Sequence, residues 1–246
     1  MRDQRVFSSR YQGLCGVTHL QAEKRTNKLG QEIRERGAGT RKKVMQATHK
    51  LLQKHSPLQI TVHAIAKAAG LSPATFYVYF TDVKDVILAL CADTHADIAP
   101  IVKLLEGPWP AKEIVQRVKK FVNAYYNFWD QHRRLLAVRD LEAALDDKRF
   151  EDERIRTVSP ILIALARRIC DSRQPPDTVS YKDAWAEAVV CCAAMDMLFV
   201  YSTQAYRRRG TPINVDHVLR AEIEIISRLL SISPARLKTR VRRSTR

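Results

Sequence analysis

From residue 40 onward the apolar positions recur at helical spacing, and no stretch alternates with period two for long enough to make a strand. Val44, Ala47, Leu51 and Leu52 mark a first helix that Thr40 can cap and that His55-Ser56-Pro57 ends. Val62, Ile65, Ala66 and Ala69 fall at i, i+3, i+4 and i+7 behind a capping Thr61, and Gly70 stops that helix. Ser72-Pro73 is a restart signal, N-cap followed by a proline at the first helical position, and the helix it opens runs to about Phe80. Asp82 begins another that reaches about Leu105, with a kink expected at Pro100. Gly107-Pro108-Trp109-Pro110 is a break, and a domain boundary is expected nearby. Helices are then expected over about 111–131, 133–146, 148–172, 181–208 and 214–231, the last capped by Asn214. The fold class is all-α.

Composition narrows the partner. Hydrophobic residues make up 46% of 246, enough for a sizeable core and against wholesale disorder. The net charge of +16, from 42 basic and 26 acidic residues, points to a polyanion: nucleic acid or an anionic membrane surface. The charge is uneven. Residues 1–43 hold 11 basic residues against 4 acids, and 233–246 hold 6 against none, whereas 44–90 hold 4 against 2. Residues 1–38 and 233–246 therefore read as basic arms, either solvated tails or sequence-independent contacts to phosphate. Five cysteines without framework spacing (15, 91, 170, 191, 192) fit reduced thiols and a cytoplasmic location. The apolar run from Ala188 to Tyr201 is broken by Asp196 and too short to span a bilayer, and Met1–Leu20 has no apolar h-region of a signal peptide. No membrane partner is expected. A transit peptide, or a start codon assigned too far upstream, would also account for the basic N-terminal segment.

The two short helices joined by Ala69-Gly70-Leu71 form a helix-turn-helix, whose second helix enters the DNA major groove. Phe76 and Phe80 share one face, with Leu71 close by, and bury that helix. The opposite arc carries Ala74 and Val78, flanked by Thr75, Tyr77 and Tyr79. Small side chains let a helix approach base edges, while phenolic hydroxyls reach phosphates. Alternatively, Tyr77 and Tyr79 pad the packing face.

The run from Thr61 to Phe80, with its Ala-Gly-Leu-Ser-x-x-Thr-Phe-Tyr-x-Tyr-Phe core, resembles the DNA-binding domain of the TetR family of bacterial transcriptional regulators over about residues 40–90. The resemblance implies an all-α homodimer on a palindromic double-stranded DNA operator, released when a small hydrophobic effector fills a pocket in the C-terminal half. It implies that Ser72, Pro73, Ala74, Thr75, Tyr77 and Tyr79 face DNA and that Thr61 touches phosphate. It also implies a phosphate-contacting lysine where this chain has Val83. Lys84, one residue later, either substitutes for it or leaves that clamp missing. The organisation expected is thus an arm over 1–38, a helix-turn-helix domain over 39–98, a helical regulatory and dimerisation domain over 99–232, and a tail over 233–246.

In the C-terminal half Phe121, Tyr125, Phe128 and Trp129 cluster at helical spacing, and Trp185, Met195 and Phe199 lie on a second apolar stretch. They are either core or the lining of an effector pocket. Asp140 and Asp196 are polar groups that could orient a ligand or pair with a neighbour. The final helix carries a broad apolar stripe (Val215, Val218, Leu219, Ile225, Ile226, Leu229, Leu230) that either joins a dimer interface or closes the monomer core. Cys91 and His95 could share a metal, but no third ligand stands with them, so neither a metal nor a cofactor is expected. The seven scattered histidines and the absence of a phosphate loop or nucleophile elbow argue against an enzyme. The competing class is a ligand-independent architectural DNA-binding protein with a purely dimerising C-terminal half.

Overall fold

The computed structural model describes residues 35–173, 180–202 and 214–231, without the side chains of 35, 36 and 197–202. The Phe199 side chain, residues 1–34 of the N-terminal arm and the whole C-terminal tail therefore lie outside what is described. Among the described residues every regular element is helical: α1 (Glu35–Lys54), α2 (Val62–Ala69), α3 (Pro73–Tyr79), α4 (Val83–Asp93), α5 (Ile98–Leu104), α6 (Ile114–Ala144), α7 (Lys148–Ser172), α8 (Tyr181–Ser202) and α9 (Val215–Ser231), with short 3-10 turns between some of them.

Local chemistry sets most boundaries. Thr61 Oγ1 accepts from Ala64 N at 3.2 Å, Ser72 Oγ from Thr75 N at 3.1 Å, and Asp82 Oδ1 from Asp85 N at 2.8 Å, so α2, α3 and α4 are each capped by their own side chain. Asn214 Oδ1 does the same for α9 through His217 N at 3.0 Å.

Three expectations need correction. Helix α1 begins at Glu35, before the expected cap Thr40. No proline forbids the extra turn. The expected single helix from 82 to 105 is divided by a 3-10 turn at Thr94–Asp97. Pro100 then falls in the first turn of α5, where its missing N–H is harmless. The helices expected at 111–131 and 133–146 are one, α6. The polar stretch Asp130-Gln131-His132-Arg133 contains no helix breaker, and Arg133 pairs with Asp130 along the same face.

The chain divides into two compact units, which are not collinear with the sequence. One takes in residues 35–99 together with 129–159. Its core joins Val44, Leu52, Ile65, Phe76, Phe80, Val86 and Cys91 to Leu135, Val138 and Phe150, so parts of α6 and α7 lie in the helix-turn-helix core. Arg134 also donates to the Leu52 carbonyl in the last turn of α1 at 3.2 Å. The other unit takes in residues 100–128 and the described residues from Pro160 onward. Its buried side chains include Phe121, Val122, Tyr125, Ile161, Leu165, Ile169, Met195 and Ile226. There the Gly-Pro-Trp-Pro break is pinned: Arg117 and Arg168 lie over the Trp109 ring at 5.9 and 5.5 Å, and Arg168 donates to the Gly107 carbonyl at 2.5 Å.

Candidate nucleic-acid interface

The turn between α2 and α3 is a Schellman motif. Gly70 sits at φ +70°, its N–H donates to the Lys67 carbonyl at 3.2 Å, and the Leu71 N–H reaches back to Ala66 at 2.9 Å. A Cβ on Gly70 would meet no atom within 4 Å, so the backbone angle, not space, selects glycine there. Ala66 is fully buried at the approach of the two helices.

Helix α3 is thereby presented with one face buried. Phe76 and Phe80 are buried, their rings 5.9 Å apart, and Arg41 stacks over Phe80 at 5.0 Å. The other face is open: Ser72, Pro73, Ala74, Tyr77 and Val78 are exposed, Tyr77 by 47% and Val78 by 48%. Thr75 is half-buried, with its hydroxyl 2.9 Å from that of Ser72. Tyr79 is half-buried and leans on the core, whereas Tyr77 is exposed and meets it only through the Phe76 ring, edge-on at 5.5 Å. Thr61 is exposed at the start of α2.

Lys84 is engaged within the protein. Its ammonium donates to Glu142 Oε2 at 2.5 Å, and Asp147 Oδ2 is 3.9 Å away. Asp147 is also bound by Arg149 at 2.9 Å, which holds its carboxyl below the usual range. Sequence reasoning missed Glu142, Asp147 and Arg149, because nothing local links them to α4. It also missed a buried ionic group beside α4. Fully buried Arg139 donates twice to Asp140 Oδ1, at 2.9 and 2.8 Å, and stacks over Trp129 at 5.1 Å. Asp140 is therefore an arginine partner. His95 turns to the buried Glu153, with Nε2 2.7 Å from Oε1, while burial pushes the Cys91 thiol up to about 12. Among the described residues no group of three or more His, Cys, Asp or Glu gathers as a metal site, and no helix is long and apolar enough to cross a membrane.

Two family models match the chain, bacterial regulatory proteins of the tetR family over residues 44–90 and a tetracycline repressor-like C-terminal domain over 102–215. The chain belongs to the TetR family. It is a DNA-binding transcriptional regulator, and proteins of this family are transcription factors, not enzymes. No curated protein matches it. Among solved structures it is similar to the fatty acid degradation regulator of Bacillus halodurans, at 14% identity and a TM-score of 0.56, covering 76% of this chain and 94% of that one. It is similar to a protein described as a TetR-family regulator from Syntrophomonas wolfei, at 14% identity and a TM-score of 0.57, covering 78% and 95%. A transcriptional regulator from Pseudomonas aeruginosa aligns at 16% identity with a TM-score of 0.56, covering 77% and 88%. At such identities the likeness is one of fold.

In the C-terminal half of this TetR-family protein Phe121, Tyr125 and Met195 are buried in one unit, with the rings of Phe121 and Tyr125 6.2 Å apart. The Tyr125 hydroxyl donates to Asp196 Oδ1 at 2.7 Å. Phe128 is buried at the end of that unit's share of α6. Trp129 groups with the helix-turn-helix unit, and Trp185 is half-buried beside Tyr181.

Proposed function

We propose that the protein is a homodimeric repressor that reads a palindromic operator through α3 and is released by a small hydrophobic effector. The presentation of α3 carries this reading: Phe76 and Phe80 anchor it, and the residues left outward are small or hydroxyl-bearing. Ser72, Pro73, Ala74, Thr75 and Tyr77 are assigned to the groove and its flanking phosphates, Tyr79 to the edge of that surface, and Thr61 to a phosphate. The DNA-reading domain is placed at 39–98 and the regulatory domain at 99–232.

Dimerisation is supported by α8 and α9. Ala186, Val189, Val190, Ala193 and Ala194 recur at helical spacing along α8, all exposed, and Ile225 on α9 is 57% exposed. Such an uncharged row suits a self-complementary interface. The effector reading rests on Tyr125 and Asp196, a hydrogen-bonded polar pair among buried Phe121 and Met195.

Tyr77→Ala is expected to abolish binding to an operator selected from random duplexes while the protein stays folded and dimeric. Undiminished affinity in a gel-shift assay would reject the docking face. Screening hydrophobic compounds by melting temperature is expected to find one that stabilises the protein and weakens operator binding. If stabilising compounds leave operator affinity unchanged, the ligand-independent architectural reading replaces this one.

A further inference from the structure

At the first turn of α4 the charges are mostly negative. Asp82 and Asp85 both cap the backbone there, Asp85 Oδ2 accepting from Thr81 N at 2.9 Å. Glu142, from the last turn of α6, and Asp147, just before α7, face the same turn. Against these four carboxylates stand Lys84 and Arg149, and Arg149 is itself paired with Asp147. The two acids holding Lys84 are only 16% and 17% exposed, while Lys84 is 45% exposed. A partly shielded ion pair is screened less by salt than an exposed one, so Glu142 keeps its hold on the ammonium at salt concentrations that weaken exposed pairs.

We propose that Glu142, with Asp147 behind it, withholds Lys84 from DNA phosphate and so limits the protein's affinity for DNA. Lys84 follows α3 by five residues and keeps nearly half its side chain in solvent, and Asp147 is 3.9 Å away and already paired with Arg149, so loss of the Glu142 carboxylate releases the ammonium to meet the DNA backbone. The proposal rests on the reading of α3 as the DNA-facing helix. Tyr77→Ala tests that reading separately.

The experiment uses the full chain, a selected operator duplex and a duplex of arbitrary sequence, each across a salt series. Glu142→Gln is expected to tighten both complexes by on the order of five- to tenfold per bound subunit near 0.1 M salt. It is also expected to steepen the log K against log salt slope by roughly one per subunit. In a Lys84→Ala background the same substitution is expected to change neither. Unchanged affinity in folded Glu142→Gln protein would overturn the proposal. So would a gain that persists without Lys84, which would make the effect one of long-range charge alone. Lys84→Ala by itself offers a check independent of whether Glu142→Gln folds. It is expected to leave the salt slope unaltered, and a slope reduced by about one per subunit means that Lys84 already contacts phosphate.

Discussion

Glu222 is a carboxyl in the wrong solvent. It lies on the buried stripe of α9, 5% exposed, near Cys191 and Cys192 of α8, and burial lifts it from an ordinary 4.5 to about 7. Its folded value therefore lies above its unfolded one. Between those two values the folded state binds the proton and the unfolded state does not, so stability falls as pH rises from about 4.5 to about 7. Glu222→Gln is expected to remove that slope and to leave the variant more stable than the parent at pH 8. Thermal melts at pH 5 and pH 8 check both. Other single residues were legible in advance because their roles are local. Thr61, Ser72 and Asn214 cap helices opening within three residues, and Gly70 answers to its own φ. The buried cation Arg139 was not legible, since its burial depends on Trp129 and on helices distant in sequence.

Among the elements, the short helices of the helix-turn-helix were readable and the long ones only in part. Stop signals made the difference: Gly70 and the Ser-Pro pair are unambiguous, whereas polarity at 130–133 imitates a loop without any residue that breaks a helix. Phe150 on α7 shows what periodicity cannot supply. A helix over 148–172 was expected, but the membership of Phe150 in the core beneath α3, with Leu135 and Val138, was not legible. Phe150→Ala is expected to cost about 3–5 kcal/mol, a large share of a typical domain's stability. The loss should appear in denaturant unfolding. Operator binding should weaken in parallel, although Phe150 is buried and touches no DNA.

For the whole molecule, the net charge of +16 identified the class of partner, yet residues 44–90 contribute little of it and the start of α4 is locally acidic. Most of the excess belongs to segments outside the described residues. The division into two units was the least legible feature, because helices α6 and α7 each contribute to both. No stop signal marks the boundary between Phe128 and Trp129, and Pro160, at the other boundary, lies inside the unbroken α7. That division bears on synthesis. Val44 and Phe150 share one core although about a hundred residues separate them. A ribosome that has made α1 to α4 has not yet made the side chains that close over them. Helix α3, proposed above to read DNA, thus leaves the exit tunnel on an unfinished scaffold, and DNA binding by the nascent chain is expected only after α7 has begun to emerge.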